Sequence, residues 1–151
     1  MIKIFGIGNI LLSDDAIGVR IVESIIEKGK DLGDNVKVIV GETDYMYCLD
    51  QIEDGDMVII IDSTYFNIAP GIVTKLSFEE CDDFLDGAFT QHEESLLKVL
   101  RSEYRHIKGY LIGVEIDNLD FGIELSSTLQ ENFDFICREV CKAIKVILKE
   151  R

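Results

Sequence analysis

The sequence predicts an α/β fold: a three-layer α/β/α sandwich around a mostly parallel, mixed central sheet of about five strands. Three observations predict it. Short strand patterns alternate with helical ones along nearly the whole chain, the arrangement that places a largely parallel sheet between helical layers. One strand segment, Met57-Val58-Ile59-Ile60-Ile61, is apolar at every position, as a central strand covered on both faces should be. With 47% hydrophobic residues over 151 positions, the chain can also bury a substantial core. No repeat, linker or low-complexity stretch interrupts the pattern, so residues 1–151 are expected to form a single domain.

The elements follow in order. Lys3 to Ile7 reads as a short buried strand, and Gly6-Ile7-Gly8-Asn9 turns the chain. Ile17, Ile21, Val22, Ile25 and Ile26 then recur at helical spacing until Gly29 and Gly33 stop the helix. Val36-Lys37-Val38-Ile39-Val40 is β-branched and bounded by Asp34-Asn35 and Gly41, which predicts a second strand. A short helix is expected around Tyr45 to Ile52, before the apolar strand that ends at Ile61 with Asp62 following it. Pro70-Gly71 leads into a strand over Ile72 to Leu76. Glu93 to Tyr104 reads as a helix with Leu96, Leu97, Val99 and Leu100 apolar, and Tyr110 to Val114 as the fifth strand. From Ser127 to the end one long amphipathic helix is expected, turning Phe133, Ile136, Val140, Ile144 and Ile147 inward.

Composition narrows the partners. Asp and Glu number 29 against 15 Lys and Arg, a net charge of −14. Such a balance disfavours nucleic acid and an anionic membrane surface, both of which call for clustered basic residues. No apolar run approaches the ~20 residues of a membrane helix, and Met1 to Gly6 is too short an apolar start for a signal peptide. The expected location is cytoplasmic. Cys48, Cys81, Cys137 and Cys141 are scattered without a Cys-x-x-Cys pair, so they are expected as small buried hydrophobes rather than ligands or a disulfide.

Open α/β sheets bind ligands outside the carboxyl ends of their strands. Three segments should converge there: Gly6 to Gly18 after the first strand, Asp62-Ser63-Thr64 after the central strand, and Thr90-Gln91-His92-Glu93 at a helix start. A dinucleotide site fails on its own physics. The last glycine of G-x-G-x-x-G is Leu11 here, and Asp14 and Asp15 stand where a pyrophosphate needs amides and no negative charge. Asp14 and Asp15 also suit a helix N-terminus, with Ser13 or Asp14 as its cap. His106, beside Arg105 and Lys108, reads as a surface residue. Two carboxylates with the His92 imidazole would form an O,O,N set able to hold Zn, Ni or Fe with positions left open. There is no Gly-x-Ser-x-Gly elbow, no His-Glu-x-x-His and no cysteine in a comparable motif, so serine- or cysteine-type proteolysis is not indicated.

The turn from Gly6 to Val19 resembles the N-terminal signature of the hydrogenase maturation endopeptidases, G-x-G-N-x-L-x-x-D-[DE]-x-x-G. The resemblance continues through Val58 to Asp62, Ala69-Pro70-Gly71 and His92, and covers essentially the whole chain. It implies a phosphorylase/hydrolase-like fold and an aspartyl-type endopeptidase. The implied reaction removes the C-terminal extension of a nickel-loaded [NiFe] hydrogenase large-subunit precursor. By position, Asp15, Asp62 and His92 correspond to the family's metal-binding and catalytic trio. The resemblance further implies nickel brought by the precursor rather than held permanently, that precursor as partner, and a monomer or weak homodimer. Asn9 and Thr43 are expected to line the cleft. Two positions depart from the family: Gly41-Glu42-Thr43 stands in place of Gly-Gly-Thr, and the context Gln91-His92-Glu93-Glu94-Ser95 differs from Ser-x-His followed by Gly. The other readings are a non-proteolytic nickel-binding or sensing module and an unrelated hydrolase on the same fold.

Overall fold

The computed structural model describes residues 1–85 and 95–150. Its strands are β1 (Ile2–Ile7), β2 (Val36–Glu42), β3 (Met57–Thr64), β4 (Val73–Ser77) and β5 (Lys108–Glu115). They form one sheet in the order β2-β1-β3-β5-β4. The β1–β2, β1–β3 and β3–β5 pairs are parallel, and only β4, an edge strand, runs antiparallel to its neighbour β5. The expected mostly parallel, mixed five-stranded sheet is therefore the observed one.

Pleating explains why β3 is apolar throughout. Ile59 and Ile61 point to one face, where they pack with Ile17, Ile21 and Val22 of α1 (Ile17–Glu27) and Val140 and Ile144 of α6 (Phe133–Lys149). Val58 and Ile60 point to the other, against Cys48 of α2 (Tyr45–Asp50), Phe78 of α3 (Phe78–Cys81) and Leu96 and Leu100 of α4 (Leu96–Glu103). Each of these isoleucines contributes about 1.5–3 kcal/mol by leaving water. Edge strand β4 is only half-buried at all five positions.

Three boundaries differ from the sequence expectation. First, β3 runs on to Thr64, so Asp62 and Ser63 lie within the strand rather than after it, fixed by pairing with Gly113 and Val114 of β5. Second, the long C-terminal helix is two helices, α5 (Ser127–Glu131) and α6, divided at Asn132, whose side-chain amide bonds the Thr128 carbonyl. The inward-facing positions of α6 still fall where the periodicity placed them. Third, the short helix α3 was not expected, although Ser77 and Glu80 form the capping box that starts it. The glycine stop holds. Gly29, at φ 59°, donates to Ile26 while Lys30 donates to Ile25, a Schellman ending for α1. Glu93, the expected start of the helix before β5, lies outside the described residues; α4 begins at Leu96, capped by Ser95.

Candidate active site

Glycines set the geometry of the turn after β1. Gly8 has φ 145°, and a Cβ there would meet the Asp15 carbonyl oxygen at 1.9 Å. At Gly18 a Cβ would lie 2.1 Å from the Ile61 carbonyl and 2.7 Å from that of Ile7. The spacing Gly6, Gly8, Gly18 therefore draws the start of α1 directly against the carboxyl ends of β1 and β3. The chain reaches α1 through a 3-10 turn, Ser13–Ala16, in which all four residues are buried.

Neither Ser13 nor Asp14 caps a helix with its side chain, contrary to the expectation for that turn. Asp14 faces another loop instead. Its Oδ2 accepts the amides of Asp117 and Asn118, both at 2.9 Å, and the Ser126 hydroxyl at 2.8 Å, while Oδ1 accepts the Ser126 amide at 2.7 Å. Asp15, like Asp14 without exposed surface, points to the sheet. It accepts the Asn9 amide on Oδ2 at 2.8 Å and the Ser63 hydroxyl on Oδ1 at 2.7 Å. The same Ser63 Oγ lies 3.5 Å from Asp62 Oδ1, which also accepts the Ser63 amide at 2.7 Å. A single serine hydroxyl thus stands between the two carboxylates, which come from segments almost fifty residues apart.

His92, the third expected member, lies outside the described residues. Among the described residues no three His, Cys, Asp or Glu side chains are grouped so as to hold a metal ion. The elements flanking 86–94 in sequence are tied together. Arg101 of α4 donates from Nε and Nη2 to both oxygens of Asp82, next after α3, at 2.8 Å each, and Arg105 adds a bond at 3.0 Å. The Arg101 hydrogen bonds, aided by Arg105, hold the Asp82 carboxyl down at about 2.

Asn9 is half-buried beside Asp15, and its side chain accepts the Leu11 amide at 2.9 Å. Thr43 is exposed. Glu42, where the family pattern has glycine, adopts φ 52° and accepts the Gly8 amide on its carbonyl at 3.0 Å. All four cysteines are buried and free, as expected, and burial pushes the Cys48 and Cys81 thiols up to about 12. Protonated, buried thiols are poor nucleophiles. His106 is exposed, 3.0 Å from Asp54.

Two residues escaped the sequence reading. Ser63 was part of a named segment but carried no role, and only the β3 pleat shows that it turns toward Asp15. Glu115, at the end of β5, shares the signal that singled out Asp62, a carboxylate closing a buried strand. Its partners make it a scaffold: it accepts the Thr64 hydroxyl and Phe66 amide at 2.9 Å and the Asn67 amide at 3.0 Å, fixing the turn after β3.

The family model of hydrogenase maturation proteases matches residues 19–143. The chain belongs to this family. It is 33% identical to the hydrogenase 2 maturation protease of Escherichia coli over 150 residues, covering 95% of this chain and 90% of that protein. Against the hydrogenase expression/formation protein HupD of Thiocapsa roseopersicina it is 29% identical over 138 residues and spans 61% of that protein's length. The fold matches the hydrogenase maturating endopeptidase HybD from E. coli with a TM-score of 0.79 at 32% identity, covering 95% and 91% of the two chains. The [NiFe] hydrogenase maturation protease HybD from Thermococcus kodakarensis shares the fold with a TM-score of 0.71 at 23% identity. A maturation protease is a peptidase, and hydrogenase maturation is the process in which this family acts as endopeptidase. No described helix is long and apolar enough to cross a membrane.

Proposed function

We propose that this maturation protease removes the C-terminal extension of a nickel-loaded [NiFe] hydrogenase large-subunit precursor in the cytoplasm. Asp15, Asp62 and His92 are the residues assigned to the metal and to catalysis. The observation that carries the reading is the Asp15–Ser63–Asp62 arrangement at the carboxyl ends of β1 and β3 in a chain of this family. The donor set fits. Two carboxylates and an imidazole suit a borderline divalent ion brought by the precursor, whose own ligands complete the coordination.

Bound there, nickel would mark the scissile bond and act as a Lewis acid toward its carbonyl or a water. The protein's own contribution is orientation. The Asn9 amide and Ser63 hydroxyl each hold one oxygen of Asp15, so the carboxylate would meet the metal in a fixed pose. The Ser63 amide does the same for Asp62. In the second form of this reading nickel serves recognition alone, and one of the two aspartates takes the proton from the attacking water as general base. A non-proteolytic nickel-binding module would need no peptidase ancestry, and family membership favours the protease.

The deciding measurement is the intact mass of a nickel-loaded large-subunit precursor after incubation with this protein. Loss of one defined C-terminal peptide is expected, absent with metal-free precursor and with His92→Ala. An unchanged mass with the verified cognate precursor overturns the protease reading.

A further inference from the structure

The loop between β5 and α5 is sewn to the turn that carries Asp15. The Gly122 amide donates to the Leu11 carbonyl at 2.9 Å, the Ser13 amide to the Gly122 carbonyl at 2.9 Å, and the Ser13 hydroxyl to the Glu124 carbonyl at 2.9 Å. Leu12 and Gly122 form a parallel bridge. The Asp14 carboxylate closes the seam from beneath. This rigid two-loop platform nevertheless carries three large apolar side chains outward: Phe121 is 90% exposed, Ile123 70% and Leu11 56%. Hydrophobic residues in loops so extensively hydrogen-bonded are not exposed by fraying. Held in place and left uncovered, they form a contact surface.

We infer that Leu11, Phe121 and Ile123 form the docking surface for the body of the protein substrate, an apolar patch of the precursor bordered by basic residues. Two observations choose this occupant. The patch is continuous with the site, because Leu11 donates to Asn9 Oδ1 and the Asn9 amide donates to Asp15. A protein whose chain end reaches Asp15 and Asp62 therefore has this platform beside it. The exposed acidic residues of the same loop, Asp117, Asp120 and Glu124, supply a negative rim, and Arg20, whose Nη2 donates to the Ile123 carbonyl at 3.5 Å, is paired with Glu23 at 2.9 Å. An aromatic and aliphatic centre within a charged rim is the usual anatomy of a protein contact. The inference rests on the proposed function only for the identity of the substrate.

The test is the double variant Phe121→Ser with Ile123→Ser, whose exposed positions leave the core intact. Cleavage of nickel-loaded precursor is followed against precursor concentration, binding of the same precursor is titrated, and the chain alone is sedimented. The expected result is KM and Kd raised roughly tenfold to a hundredfold with kcat unchanged, and binding to wild type that weakens as salt is added. Cleavage by both proteins with equal KM overturns the docking surface and leaves the protease reading standing. Binding by wild type without cleavage, lost in the variant, keeps the docking surface and overturns the protease reading. A wild-type dimer that the variant dissolves assigns the patch to a second copy and overturns the inference.

Discussion

Asp14 and Asp15 are neighbours in the chain and equally buried, yet they serve different regions of the molecule. Asp14 looks outward to the 117–126 loop and spends its oxygens on three backbone amides and a hydroxyl. Asp15 looks inward to the end of β3, where its hydroxyl partner Ser63 also approaches a second carboxylate. The first arrangement disperses negative charge over many donors and is what stability favours. The second gathers negative charge in one place, a cost that a cation relieves. On the proposed function, identical side chains at adjacent positions separate architecture from chemistry, and their partners tell them apart.

The comparison can be broken by exchanging each carboxylate for its amide. Asp15→Asn is expected to lower precursor cleavage at least ~100-fold, on the scale of losing one preorganised electrostatic group, while chemical denaturation shows little loss of stability. Asp14→Asn should do the reverse. It sets an NH2 group against N–H donors and removes hydrogen bonds to a charge, so about 3 kcal/mol of unfolding free energy should be lost. If Asp14→Asn unfolds no more easily than Asp15→Asn, the division of labour is wrong.

Asp82 sharpens the contrast, since arginines rather than amides hold it. Its folded-state carboxyl is depressed to about 2. Its contribution is therefore full above the ordinary carboxylate range and lost as pH falls from about 4 through about 2. Asp82→Asn should be less stable than wild type at pH 7, and urea melts at decreasing pH should show that gap closing. The smallest effect belongs to Glu42, a side chain at φ 52° whose carbonyl supports Gly8. Glu42→Gly should stabilise the fold by about 1 kcal/mol by relieving left-handed strain, read as a raised denaturation midpoint.

Fold class was legible because the strands carry it in their own composition. The all-apolar β3 and the β-branched β2 state their burial directly, and Gly29 states where α1 ends. The break at Asn132 was hidden because the inward periodicity of α6 runs smoothly past it. Within the site, the turn motif marked Asp15 and the strand end marked Asp62. The role of Asp14 was not readable, because its partners lie more than a hundred residues away and are mostly backbone amides, which leave no trace in side-chain identity. Ser63 was obscured for a related reason. Its orientation depends on how far β3 continues, and strand ends are set by pairing with β5 rather than by local preference.

The parallel seams have a kinetic consequence. Ile2 pairs with Met57, and Met57 with Lys108, so roughly fifty residues must be looped out before either seam closes. Neither local helix formation nor a hairpin can bring Asp15 to Ser63. The contact between Asp15 and Ser63 therefore has no local precursor and comes with the closing of the sheet itself.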